Sequence, residues 1–165
     1  MDIHSLPFEG IDEAIALITS VFPRDASHIR KTLNAYRNGA ADPHWQQHRL
    51  TSLHFWAMED VNHMVGIIGL YEKKADNNDA CWLSWFCVTP EHRSKGMGRI
   101  LLEHVIAEAQ RRGKHRLRLY TSTAPEEAIA QRLYDERGFI ETSREAEPGS
   151  PYERIYRELN VSSHT

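Results

Sequence analysis

The segment Arg93-Ser94-Lys95-Gly96-Met97-Gly98 lies between an apolar run ending at Val88 and an amphipathic stretch beginning near Gly98. Two glycines at spacing two, at the mouth of a helix, let the backbone approach a ligand closely. The first N–H groups of a helix have no intrahelical partners, and the helix dipole adds partial positive charge there. With Arg93, Lys95 and Arg99 around it, the segment reads as an anion site suited to phosphate. The basic side chains do not select a particular phosphate ligand, and a glycine-rich strand-to-helix turn without a ligand is the alternative. A Walker A loop requires Lys-Ser/Thr after its second glycine, whereas Gly98 is followed by Arg99-Ile100. A Rossmann fingerprint requires a third small residue three positions after Gly98, and that residue is Leu101.

Other chemistry-bearing residues fit known sites poorly. Cys81 and Cys87 stand six residues apart in one expected strand, roughly 20 Å apart when extended, too far for a disulfide. Neither belongs to a CxxC pair, so both are expected to be small buried hydrophobes. Of the ten histidines, only His44 and His48 form a tidy i,i+4 pair, with no nearby third ligand in the sequence. No metal site is expected.

The chain has 165 residues, enough for one substantial core, with 41% hydrophobic and 26% charged residues. A net charge of −3 argues against a general nucleic-acid binder. No apolar run approaches a membrane span, and Met1-Asp2-Ile3-His4 lacks the features of a signal peptide. A cytoplasmic protein with no membrane or nucleic-acid partner is expected; a homodimer is compatible with the sequence.

The elements that must position the glycine turn follow from periodicity. Ile3 to Leu6 suits a first strand. Helical stretches follow from Ile11, stopped by Pro23, and from Ser27 to about Gly39. Pro43 to His48 reads as loop. Arg49–Glu59 and Met64–Tyr71 are strands joined by an Asp60–His63 hairpin turn, and Lys73–Asp79 is a charged turn. Trp82–Val88 is a continuous apolar strand, expected to be buried on both faces. From Gly98 to Arg112, Leu101, Leu102, Val105, Ile106 and Ala109 recur at helical spacing, and Glu108 and Arg112 form an i,i+4 pair. Leu117–Thr121 is a strand, Glu126–Arg137 a helix closed by Gly138, and Phe139–Thr142 and Arg154–Leu159 are strands. The order β-α-α-β-β-β-α-β-α-β-β predicts a mixed α/β domain over 1–165, with a flexible tail at 161–165.

With those elements in place, the sequence resembles the GNAT superfamily of N-acetyltransferases. The family's acetyl-CoA motif, R/Q-x-x-G-x-G/A, is matched by Arg93-x-x-Gly96-x-Gly98, preceded by the apolar strand and Thr89-Pro90-Glu91. A second block, A-x-x-L-Y-x-x-x-G-F, is matched by Ala130-x-x-Leu133-Tyr134-x-x-x-Gly138-Phe139. The two blocks have the right order and separation. The resemblance implies a central, mixed but mostly antiparallel sheet flanked by helices, and direct transfer of an acetyl group from acetyl-CoA, the co-substrate, to a primary amine of a small molecule or peptide. It further implies that the backbone of Phe86, Cys87 and Val88 pairs with the pantetheine arm. The amides from Ser94 through Lys95, Gly96, Met97 and Gly98 to Arg99 would hold the pyrophosphate.

Tyr134 matches the tyrosine that gives a proton to the departing thiolate in many members; the plain alternative is a core tyrosine. Phe139, Ala130 and Leu133 look like packing positions. Two departures stand out. Glu127 occupies the place of a cofactor-contacting asparagine, and Trp82 stands where some members carry a general-base glutamate. An alkyl ammonium near pKa 10 must lose a proton before it attacks. Glu72, Glu59, His54 or a water relay could accept it. Phe55, Trp56, Tyr71, Trp82 and Trp85 could line an acceptor pocket, although aromatic strand residues are more often core. The competing class of function is a binding module that senses acetyl-CoA without turnover.

Overall fold

The computed structural model describes residues 2–162. Its strands are β1 (Ile3–Ser5), β2 (Leu50–Asp60), β3 (His63–Lys73), β4 (Ala80–Val88), β5 (Arg116–Ser122), β6 (Ile140–Ala146) and β7 (Glu153–Asn160). They form one seven-stranded sheet in the order β1-β2-β3-β4-β5-β7-β6. Only β4 and β5 pair in parallel; every other pair is antiparallel. The helices are α1 (Ile11–Val21), α2 (Ala26–Asn38), α3 (Pro43–Gln47), α4 (Met97–Arg111) and α5 (Ala128–Arg137). Element order and fold class agree with the sequence reading except at α3, which was expected to be loop. Asp42 caps that short helix by accepting from the His44 amide, Pro43 occupies its first position, and Trp45 Nε1 donates to the Ala35 carbonyl. Those tertiary bonds stabilise five residues that would not form a helix alone.

The two sheet faces carry separate cores. Leu101, Leu102, Val105, Ile106 and Ala109 of α4 are buried against one face, with Tyr134 of α5 and Leu117 and Leu119 of β5. Ile11, Ile18, Ile29 and Leu33 of α1 and α2 cover the other face, over Phe55, Ala57 and Ile67. At roughly 1.5–3 kcal/mol for each large apolar side chain buried, these stripes outweigh helix propensity as the source of helix stability. The C-terminal end of α4 is tied to β3 by ions: Arg112 bridges Glu108 (2.9 Å) and Glu72 (2.8 Å), and the buried Lys114 also pairs with Glu72. The tail expected over 161–165 lies mostly outside the described residues. Val161, which is described, is in the core, and its amide donates to the His115 carbonyl.

Gly69 marks a tight point in the second core. It pairs with Phe55 across β2 and β3, and a Cβ there would lie 2.7 Å from Phe55 Cδ1. Phe55 is fully buried and has no room to swing aside. Gly69→Ala is therefore expected to destabilise the fold by about 1–3 kcal/mol through overpacking. A lower urea midpoint, partly recovered by adding Phe55→Leu, is the expected result; an unchanged midpoint contradicts it.

Candidate active site

The cleft originates in an irregularity of β4. Gly69 lies opposite Ser84 and Ile67 opposite Cys87, so two steps of β3 span three of β4. Trp85 takes up the extra residue at φ 41°, a β-bulge that bends its strand. Cys81 and Leu83 lie on one face before the bulge and Phe86 and Val88 on that same face after it, while Cys87 joins the opposite core. The unbroken apolar run thus reflects a bulged strand, with Trp82, Ser84 and Trp85 only partly covered. Parallel pairing between β4 and β5 reaches only from Ala80–Trp82 to Arg116–Arg118. Beyond it lies a cleft of about 320 Å³, walled by Phe86, Cys87 and Val88 on one side and by Ile129, Ala130 and Leu133 of α5 on the other.

The glycine turn closes one end. Arg93, Ser94, Gly96, Met97, Gly98 and Arg99 all line the cleft; of the expected turn residues only Lys95 does not. Ser94 and Gly96 have φ of 64° and 81°, the left-handed conformation that turns successive amides toward one point. Gly96 caps α4 without a side-chain bond, and the first intrahelical bond runs from Ile100 N to Gly96 O at 3.1 Å. The amides of Met97, Gly98 and Arg99 therefore have no partner within the helix. Gly98 has a second role: a Cβ there would stand 3.0 Å from Leu133 Cδ1 and 3.5 Å from Phe86 Cζ, so its bareness lets α4 meet α5 and β4. Two of the expected phosphate cations have partners in the fold. Arg93 Nε donates to the Val88 carbonyl (3.1 Å), and Arg99 pairs with Glu136 (2.6 Å). Arg93 keeps its charge beside the neutral Val88 carbonyl, so the turn combines guanidinium charge with unpartnered backbone amides.

Tyr134 is 4% exposed, packed between Phe86 and Phe139 with ring centroids 6.3 and 5.5 Å away. It sits one residue behind the cleft wall. Burial raises its phenol pKa well above the ordinary value, and the nearby charge of Glu127 adds to that shift. Glu127 points into the β5–α5 corner, where it accepts hydrogen bonds from Thr121 Oγ1 (2.8 Å) and from Ser122. Burial also raises its pKa, opposed by those two hydroxyls. The carboxylate that does line the cleft is Glu126, paired across its mouth with Arg24, which also lies 4.7 Å over the Tyr152 ring. Sequence reasoning missed Val21, Phe22, Arg24, Glu126 and Ile129. The one available signal was Ile129, an apolar residue 47% exposed on α5.

The three side chains considered as bases stand elsewhere. Glu72 is held by Arg112 and Lys114 at the far end of the sheet. Glu59 pairs with His4 at 3.4 Å, and His54 Nε2 meets Ser5 Oγ at 2.8 Å. Both cysteines are free and buried, with thiols pushed up to about 12 by burial. The fold does bring a third histidine to His44 and His48, since His28 lies 6.2 and 6.3 Å from their rings. Even so, among the described residues no group of three His, Cys, Asp or Glu is arranged to hold a metal ion. Nor, among the described residues, is any helix long and apolar enough to cross a membrane.

An amide-lined helix start beside a splayed parallel strand pair defines an α/β protein with an anion-binding cleft, and comparison supplies the family. Residues 18–139 match the acetyltransferase (GNAT) family, and the chain belongs to that family. A GNAT-family structure from Desulfovibrio desulfuricans shares the fold with a TM-score of 0.78 at 21% identity, covering 98% of this chain and 99% of that one. An aminoglycoside 6'-N-acetyltransferase complexed with coenzyme A aligns with a TM-score of 0.74 at 14% identity, over 100% and 99% of the two chains. An acetyltransferase from Salmonella typhimurium, solved with its cofactor acetyl-CoA, aligns at 0.68 and 17%, over 100% and 96%. No curated protein sequence matches.

Glu127 supplies a pH test of this corner. Its folded pKa lies above the unfolded value, so its charged form weakens the fold, and the penalty disappears as pH falls. Relative to Glu127→Gln, the unmodified protein is expected to gain stability between about pH 7 and about pH 4.5. Denaturant titrations of the pair across that range should diverge; parallel curves would count against the buried carboxylate.

Proposed function

We propose that the protein transfers the acetyl group of acetyl-CoA directly to a primary amine of a small molecule or peptide. The observation that carries this reading is the cleft left where β4 parts from β5, ending at the unpartnered amides of Met97, Gly98 and Arg99. A pyrophosphate suits those amides, since each donates toward the cleft and the helix dipole favours the negative charge. No Cβ crowds the turn at Gly96, where nothing stands within 4 Å of the position a side chain would take. The edge of β4 at Phe86, Cys87 and Val88, which has left its parallel neighbour, offers backbone groups to an extended amide-bearing arm as an added strand would.

When bound, acetyl-CoA supplies a thioester whose carbonyl carbon an amine can attack. A C–N bond forms, the C–S bond breaks, and the thiolate leaves. Tyr134 is assigned as the proton donor to that thiolate. A phenol is protonated at neutral pH already at its ordinary pKa of about 10. Burial makes Tyr134 a weaker acid, and the same dry surroundings raise the proton affinity of a departing thiolate, which offsets that loss. Direct transfer is favoured over an acyl-enzyme because the Cys87 side chain is buried in the opposite core and burial pushes its thiol up, which withholds the nucleophilic thiolate. The amine's proton is given to water leading out of the cleft, since Glu72, Glu59 and His54 are engaged away from it and Glu126, the carboxylate that lines it, is paired with Arg24.

Gly98→Trp drives an indole into the space between Leu133 and Phe86, so acetyl-CoA affinity of the folded variant should fall by more than about 100-fold. Titration calorimetry that finds unchanged affinity would remove the glycine turn from the cofactor site. Tyr134→Phe should lower kcat about 10- to 100-fold while leaving the KM for acetyl-CoA within about twofold. Steady-state kinetics with an accepted amine test this, and an unaltered kcat would take Tyr134 out of the donor role.

A further inference from the structure

On the face of the sheet that carries α1 and α2, the outer strands β5 and β7 are not covered by the α1–α2 core, and their side chains build a basin beside the β4 bulge. Tyr71 and Trp82 pair across β3 and β4 and stack at 6.1 Å, forming one wall. Tyr120 and Tyr156 pair across β5 and β7 at 6.0 Å, forming the other. Between the walls Ser84 is small and partly exposed despite these large neighbours, so the floor is open. At the cleft side stands Trp85, 5.8 Å from Phe22, which itself lines the cofactor cleft. The basin therefore adjoins the place where an acceptor would meet the thioester.

Charges of opposite sign sit on its rim. Arg154 lies 4.7 Å over the Tyr120 ring, a geometry worth more when partly desolvated. Its nearest ion-pair oxygen, on Glu145, is 4.0 Å away, and that carboxylate also accepts from Tyr156 at 2.9 Å. Glu147 and Tyr156 act on Arg154 as well. Neighbouring arginines are satisfied more closely: Arg118 has Asp76 at 3.1 Å and Glu158 at 3.3 Å, and Arg24 is joined to Glu126. Lys73 covers the far edge, 4.3 Å over Trp82, so that aromatic face already holds a cation.

We propose that the acceptor is a small amino carboxylate with a large apolar or aromatic body, seated on Ser84 between the Tyr71–Trp82 and Tyr120–Tyr156 pairs, with its carboxylate held by Arg154. The amine end then faces Trp85 and the cleft, where the acetyl group arrives. A guanidinium fork suits a carboxylate because it offers two parallel donors. The inference rests on the acetyl-transfer reading above, and Arg154 acts on substrate binding with no part in the chemistry.

The test compares three acceptors with one body: phenylalanine, phenylalanine amide and phenethylamine. Turnover is followed by thiol release from acetyl-CoA, with acetyl-CoA affinity measured separately by calorimetry. Phenylalanine should be preferred, and Arg154→Gln should raise its KM about 10- to 100-fold with acetyl-CoA affinity unchanged. Arg154→Lys should recover part of that loss, since it restores charge without the fork. Equal use of all three amines, or a phenylalanine KM unmoved by Arg154→Gln, overturns the proposal. So does failure of all three with acetyl-CoA still bound, which leaves the cofactor reading standing; loss of acetyl-CoA binding in the unmodified protein would instead sink the reading beneath it.

Discussion

Strand β4 cannot remain paired with β5 along its whole length, and the architecture of the site follows from that. A parallel pair held to the end would leave no edge for a ligand and no gap between the sheet and α5. One extra residue at Trp85, in a conformation uncommon for a bulky side chain, bends the strand away. The parting exposes backbone donors and acceptors that would be costly to leave buried and unpaired. The fold meets part of this cost itself, since Arg93 Nε donates to the Val88 carbonyl at the strand's end. The rest lies open in the cleft, where water or a ligand can satisfy it.

Electrostatics at the two ends of α4 are managed by different means. At the N-terminal end the helix begins on Gly96 with no capping side chain, so its dipole and three amides remain available to an anion. At the C-terminal end Arg111 and Arg112 both pair with Glu108, and Glu72 and Lys114 complete a buried network. Removing one member of such a network would strand an uncompensated charge, so it anchors the helix end and holds the Glu72 carboxylate against Arg112 and Lys114. A carboxylate that looked reactive in the sequence is thereby structural.

What could be read from the sequence divides along the same line. The shape of the turn from Arg93 to Arg99 was legible because it resides in local backbone conformation, which glycine spacing and a following amphipathic stripe report directly. The order of strands and long helices was legible for the same reason. Helix α3 was not, because it depends on Asp42 as a cap and on a bond from Trp45 to α2. The bulge was hidden inside a run of apolar residues whose alternation it interrupts. Phe22 and Glu126 reach the cleft, and Arg24 pairs with Glu126, from segments about 100 residues apart in the chain, and no spacing rule connects them.

Donor and acceptor halves of the site are thus specified by different physics. In the proposed reading, binding of a common carrier relies on main-chain groups, which many side-chain sequences can present so long as the turn and the bulge survive. Discrimination among acceptors would then rest on side chains that converge from β3, β4, β5 and β7, where one substitution changes charge or shape without disturbing the carrier site. Arg154 illustrates the consequence. It is an ordinary exposed-type residue in sequence, and only the antiparallel pairing of β5 with β7 sets it over the Tyr120 ring beside Tyr156. Recognition of the acceptor is in that reading a property of the sheet's register, which is why an anion site at the turn could be inferred before the fold and the basin only after it.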